Sequence, residues 1–219
     1  MGRSLGLRRG PGRAGAAGEA GALPAWLPAG AGALREPAAQ AMLRAMRQVP
    51  VRLAGGGEAR ASFVGPAGPA DAGAAALPVM LLHGFDSNCL EYRRLLPLLQ
   101  EVTPTFAVDV LGWGFSGSAA GDYGPAAKRD FLYSFWRQHV GTPVVLAGSS
   151  LGGAAAIDLA VHHPDMVAKL VLIDAQGYIE GAGPMAGAPD FLARLGIRIL
   201  KTDWLRQQAN KLSYFDKER

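Results

Sequence analysis

Residues 144–152 read Val-Val-Leu-Ala-Gly-Ser-Ser-Leu-Gly, and residues 153–162 continue as Gly-Ala-Ala-Ala-Ile-Asp-Leu-Ala-Val-His. The opening run is short and apolar, as a strand covered on both faces needs to be. The following stretch has the composition of a helix over 151–162. Between the two lies Gly148-Ser-Ser150-Leu-Gly152, a G-x-S-x-G string with a strand before it and a helix after it. The string alone is weak, and that context gives it meaning. A strand that turns at once into a helix forces Ser150 into a strained backbone conformation, and the small residues Gly148 and Gly152 relieve the crowding. The turn lifts the Ser150 hydroxyl above the sheet edge, beside a helix N-terminus. There the backbone N–H of Leu151 is free to stabilise an oxyanion. Ser149 is expected to be a turn residue only.

Further apolar runs lie at Val79–Leu82, Phe106–Val110 and Leu170–Ile173, with helical stretches expected at 89–100 and 126–139. Phe131, Phe135 and Val140 fall at helical spacing in the second stretch. In the first, Leu95, Leu96, Leu98 and Leu99 make a broad apolar face that Pro97 disturbs. Alternation of this kind implies an α/β fold with an open, mostly parallel, doubly wound sheet. Ligands of such sheets sit beyond the carboxyl ends of the strands. Upstream, β-like stretches at 49–53 and 58–64 flank Gly55-Gly56-Gly57 and read as a hairpin, and residues 65–77 form a Gly/Ala/Pro loop.

The 219 residues suit one domain with a sizeable core. Residues 1–47 carry seven arginines against Glu19 and Glu36, a net +5, whereas the chain as a whole carries +4. The basic excess therefore belongs to the N-terminal stretch, and the body has no electrostatic case for binding nucleic acid. That stretch, rich in Gly, Ala, Pro and Arg, is either an organelle transit peptide, a disordered tail or a misassigned upstream start. Without an organelle address the expected location is the cytoplasm. The single Cys89 forms no internal disulfide, and no Cys/His spacing suggests a metal site. No cofactor is expected. The most apolar stretch, 143–161, is too interrupted by Ser, Gly and Asp158 to cross a membrane.

A second motif follows the first apolar run: Pro78-Val-Met-Leu-Leu-His83-Gly84-Phe85. A strand ending this way supplies a second oxyanion donor, the backbone N–H of Phe85, with Gly84 letting the backbone approach. His83 is weighed as a catalytic base and is read as a brace for this loop.

With these pieces in hand, residues 78–175 resemble the α/β-hydrolase family, in its group of small esterases, C–C hydrolases, epoxide hydrolases and haloperoxidases. The matching pieces are His83-Gly84-Phe85, Asp109-Val-Leu-Gly112-Trp-Gly114-Phe-Ser116, Gly148-Ser-Ser150-Leu-Gly152, His163-Pro164 and Leu170-Val-Leu-Ile-Asp174. The run Leu172-Ile-Asp174-Ala-Gln-Gly177-Tyr is similar to plant and algal members, a resemblance that implies a plastid address. The resemblance implies a core over 48–178, a tail over 1–47 and the start of a helical cap over 179–219. It also implies that Asp109 is a structural aspartate tying down the loop after its strand. Epoxide hydrolases and haloalkane dehalogenases of the family use a carboxylate nucleophile, so Ser150 points instead to acyl transfer through an acyl-enzyme on an ester or lipid-like substrate.

The family's order is Ser, then Asp or Glu, then His. Downstream of Ser150 only His162 and His163 occur, at the far end of the helix that starts at the elbow, roughly 18 Å away by helix rise. Neither suits a base. Asp174 is a candidate acid, weighed against a strand-closing turn residue. The chain is therefore expected to be a C-terminally incomplete hydrolase, inactive for want of its histidine, with residues 170–173 left as an uncovered apolar edge. The alternative is a ligand-binding or receptor-like member without turnover. Phe85, Trp113 and Phe191 are candidate substrate contacts. Cys89 is expected to be a small buried residue, and Asp86 a turn-stabilising one.

Overall fold

The computed structural model describes residues 22–68, 76–118 and 121–177, together with residues 202, 204, 205, 207 and 208. The chain divides into two compact units, Met1–Gly177 and Tyr178–Arg219. In the second unit residues 204, 205, 207 and 208 are helical and Trp204 is exposed. The rest of the expected cap, Phe191 included, lies outside the described residues, as do residues 1–21.

The described residues of the first unit form one sheet from β1 (Arg47–Arg52), β2 (Glu58–Val64), β3 (Val79–Leu82), β4 (Thr105–Val108), β5 (Gly117–Ser118), β6 (Val144–Ser149) and β7 (Val167–Ile173). The order is β1-β2-β4-β3-β6-β7, with the short β5 on β2. Strands β4, β3, β6 and β7 run parallel, and β1 and β2 close the other side antiparallel. The sheet is open and mostly parallel, as the alternating pattern requires. From β3 the chain moves outward to β4 and then returns to the other side of β3 for β6. This reversal of winding places a crevice at the carboxyl ends of β3 and β6, where the His83-Gly84-Phe85 and Gly148–Gly152 segments emerge.

Period-two alternation sorts the strand residues into two cores. Met80, Leu82, Phe106, Val108 and Leu146 face α3 (Pro125–His139) and α4 (Leu151–His162), packing on Phe131, Phe135, Ala156 and Leu159. Leu81, Ala107 and Ala147 face the opposite side, against α1 (Pro37–Ala45), α2 (Leu95–Gln100) and the 3-10 turn Cys89–Tyr92. The helix expected over 89–100 is thus split in two. Pro97 falls in the first turn of α2, where its missing N–H costs nothing. Only Leu96 of the expected broad face is buried; Leu98 is exposed.

One expectation is corrected. Residues 22–47, read as part of a tail, are built into the fold. Pro37 opens α1 at its first position, and Ala39, Met42, Leu43 and Met46 fall on one stripe and are buried. The stretch looked like tail because its Gly, Ala and Pro content hides so short a periodicity. Just before α1, Glu36 accepts from Arg93 Nε at 2.5 Å and pairs with Arg94 at 2.8 Å. These guanidinium groups lower the pKa of the half-buried Glu36 carboxyl from its ordinary value. At the opposite side of the sheet, among the described residues, β7 pairs only with β6, and Leu170, Val171, Leu172 and Ile173 are each 38–46% exposed. The apolar edge expected there is present among the described residues.

If α1 belongs to the folded unit, Leu43→Ala opens a cavity in the second core. Its cost should be about 2–5 kcal/mol, read as a lowered urea midpoint with an unchanged slope.

Candidate active site

Strand β6 ends at Ser149 and α4 begins at Leu151, so Ser150 alone makes the turn. Its backbone sits at φ 48°, ψ −112°, a region that costs a non-glycine residue about 1–3 kcal/mol. Three backbone bonds hold it there. Ser150 N–H donates to Ile173 O at 3.1 Å, and its carbonyl accepts from Ala154 N–H at 3.1 Å and Gln176 N–H at 3.0 Å. The turn is possible only because its neighbours lack side chains. A Cβ on Gly148 would stand 2.2 Å from Gly152 O, and one on Gly152 would stand 2.1 Å from Leu82 O. One on Gly153 would stand 2.5 Å from the Ala175 Cβ. The first turn of α4 is therefore pressed onto the ends of β3 and of the β7 loop. As first residue of α4, Leu151 has an N–H without an intrahelical acceptor.

Across the crevice, His83 is fully buried with both ring nitrogens committed to backbone. Val110 N–H donates to His83 Nε2 at 3.0 Å, which places the ring proton on Nδ1, and Nδ1 lies 2.8 Å from Gly84 O as donor. His83 thus has no free nitrogen for a base and acts as a brace. Because a trans peptide sets its C=O and N–H on opposite sides, holding Gly84 O against the ring turns Phe85 N–H away from it. The Cβ of Ser150 is 3.6 Å from where a Gly84 Cβ would be, so this peptide lies alongside the serine. That spacing is ordinary contact; lack of room does not impose glycine at 84. Sequence reasoning passed over two further supports, Glu91 and Tyr92. Glu91 Oε2 accepts from Gly84 N–H at 3.1 Å, and Tyr92 OH donates to Leu82 O at 2.7 Å. Their spacing from His83 carries no recognisable signal, because a 3-10 turn brings them back.

Asp109 ends the strand segment next door and is completely buried. Its carboxylate accepts from Ser62 Oγ at 2.5 Å, Cys89 N–H at 2.6 Å and Phe115 N–H at 2.9 Å. One side chain thereby ties β2, the 3-10 turn and the loop carrying Trp113 together. Gly114 passes so close that a Cβ would meet the carboxylate at 2.2 Å. The loop holds Trp113 edge-on to Phe85, ring centres 4.8 Å apart, and both line an apolar cavity of about 290 Å³ with Leu151.

Asp174 follows β7 one residue beyond the Ser149–Ile173 pair, abreast of the elbow, in a left-handed conformation at φ 47°. Asp86, after the β3 segment, is left-handed too, at φ 52°; aspartate tolerates both. The remaining histidines lie elsewhere. His139 Nε2 is 3.3 Å from Pro50 O, His162 Nδ1 is 3.1 Å from Asp158, and His163 stacks on Tyr133 at 3.7 Å. Desolvation holds the His163 pKa below its ordinary value. Among the described residues no cluster of His, Cys, Asp and Glu could hold a metal ion.

The profile of the alpha/beta hydrolase family matches residues 79–219. The chain is 38% identical over 196 residues to the "Alpha/beta hydrolase domain-containing protein VTE7" of Arabidopsis thaliana, covering 87% of this chain and 58% of that protein. It is 35% identical over 134 residues to "Lipase LipV" of Mycobacterium tuberculosis, covering 58% of this chain and 48% of that one. The chain thus spans about half the length of these relatives. A thermophilic esterase from Thermogutta terrifontis superposes with a TM-score of 0.56 at 24% identity, over 71% of this chain and 54% of that one, a likeness of fold.

Cys89 supplies a test of the buried network. Burial first, and then the Asp109 carboxylate, push its thiol pKa well above the ordinary value. The unfolded thiol ionises near ~8.5 while the folded one stays protonated, so stability is full below that pH and is lost as pH rises above it. Urea midpoints from pH 7 to 10 should fall more steeply for the wild type than for Cys89→Ala, by up to about 1.4 kcal/mol per pH unit.

Proposed function

This chain belongs to the alpha/beta hydrolase family, and we propose that it forms the nucleophile-bearing part of a serine hydrolase acting on acyl esters. The observation that carries this reading is Ser150 itself: a strained residue at the N-terminus of α4, facing the braced Gly84–Phe85 peptide across the crevice. Ser150 Oγ attacks the ester carbonyl. The N–H groups of Leu151 and Phe85 stabilise the resulting oxyanion, and the alcohol leaves to give an acyl-enzyme that water then hydrolyses. Trp113 and Phe85 contact the substrate beside the elbow. The esterase and lipase names among the relatives support an acyl substrate.

A serine hydroxyl needs a base at neutral pH. None of the four histidines of the sequence is placed to serve: His83 is spent on backbone, and the others lie at helix ends remote from the elbow. We place the base in a segment this sequence does not contain, oriented by an acid for which Asp174 is one candidate. This chain by itself is then a binder without turnover. The second reading is a ligand-binding or receptor-like member that never turns over.

A fluorophosphonate probe separates the two. Applied to the protein with its histidine-bearing segment, it should label Ser150, and Ser150→Ala should abolish labelling. A ligand binder would show no Ser150-dependent labelling, and its ligand affinity would survive Ser150→Ala. In the hydrolase, His83→Ala frees the Gly84–Phe85 peptide to rotate. Labelling should slow by up to about 10²-fold, the effect of losing one oxyanion donor, with the probe's affinity nearly unchanged.

A further inference from the structure

The cavity beside the elbow has a direction. Its wall on α4 is formed by Leu151, Ala154, Ala155 and Asp158, successive positions on one face of the helix. It therefore runs about 10 Å along α4, away from Ser150, at 1.5 Å per residue. Phe85, Val110 and Trp113 close the near end, and α3 lines the flank with Pro125, Lys128 and Arg129.

The polar groups at its margin are engaged. Arg129 Nη1 donates to both carboxylate oxygens of Asp158, at 2.9 and 3.0 Å, and His162 Nδ1 lies 3.1 Å from the same carboxylate. Lys128 Nζ donates to the Tyr123 carbonyl. What remains along the wall is hydrocarbon: alanine methyls, aromatic faces and the stems of Lys128 and Arg129. The small residues Ala154 and Ala155 leave the space, and the Arg129–Asp158 pair stands at its far end.

We propose that this slot binds an unbranched acyl chain and measures its length, with Ala154 and Ala155 as the floor and the Arg129–Asp158 pair as the stop. The inference rests on Ser150 being the nucleophile only for the name "acyl"; the slot itself stands on geometry. Leu151 and Phe85 belong both to the slot and to the oxyanion donors, so a chain lying in it brings its carboxyl carbon to the serine. The acyl half of an ester stays on the enzyme through the second step while the alcohol must leave. A slot that ends at an ion pair suits the half that stays. The volume of about 290 Å³ and the run of about 10 Å along α4 suit a chain of limited length.

The test is equilibrium binding to the full chain by calorimetry. Saturated carboxylates from butanoate to tetradecanoate represent the acyl product, and 1-alkanols of the same lengths represent the leaving group. Carboxylate affinity should rise about fourfold per added methylene and level off within the series, before tetradecanoate. Binding should also change tryptophan emission, a change lost in Trp113→Phe. Ala155→Phe should move the levelling point several carbons shorter, and the milder Ala154→Leu should move it the same way. A length-independent affinity overturns the slot, as does a levelling point unmoved in both variants. Length dependence confined to the alkanols overturns its assignment to the acyl half. Failure of Ser150 labelling with the carboxylate profile intact would remove the nucleophile and leave the slot. Loss of the profile with labelling intact would remove the slot alone.

Discussion

The approach of α4 to the end of β3 is the constraint on which the rest of the site depends. At Gly152 the helix comes so near the Leu82 carbonyl that a single methyl group would meet it at 2.1 Å. Only this closeness lets β6 pass into α4 through one residue, and only one residue makes the turn sharp enough to strain Ser150. Gly148, on the strand side, and Gly153, on the side of the β7 loop, meet the same demand from other directions. The strain at Ser150 is offset by its backbone bonds to Ile173, Ala154 and Gln176, so β7 and its loop take part in holding the serine. Packing and chemistry are the same set of contacts here.

A second device fixes the opposite wall. Asp109 is a buried carboxylate, an expensive group to desolvate unless its lone pairs are occupied. Donors from β2, from the 3-10 turn and from the Trp113 loop occupy them. Three segments distant in the chain become one rigid support. His83 extends the same logic by joining the β3 segment to Val110 on the β4 side. Gly84 is thus held at its carbonyl by His83 and at its N–H by Glu91, the preorganisation that the proposed stabilisation of an oxyanion requires.

Much of this was legible beforehand. Strands Val79–Leu82 and Val144 onward stand where their apolar runs lie, and the helices expected over 126–139 and 151–162 are α3 and α4. The apolar edge at residues 170–173 was expected from the sequence, and among the described residues β7 has a neighbour on one side only. What misled was composition. Residues 22–47 read as a tail because Gly, Ala and Pro dominate them, yet Met42, Leu43 and Met46 suffice to seat α1 in a core already formed by Leu81, Ala107 and Ala147. The run of leucines at 95–99 erred the other way: apolar residues alone do not make a buried face when α2 is only six residues long.

The sequence by itself determined the family's sheet, the elbow at Ser150 and the segment that faces it. Each is a local rule, a strand period, a helix start or a glycine where a side chain cannot go, and such rules are written in neighbouring residues. The tertiary structure alone decided which groups His83 braces, Val110 N–H and Gly84 O, that Glu91 and Tyr92 hold the backbone at Gly84 and Leu82, and that an apolar cavity lies along α4 beside the Arg129–Asp158 pair. Those outcomes depend on which backbone group or side chain from a distant segment reaches a given atom. No spacing encodes this, because it is settled only when the sheet has brought β3, β4 and β6 side by side. Ser150 shows both at once: its pattern named it, and the bonds to Ile173 and Gln176 hold it in place.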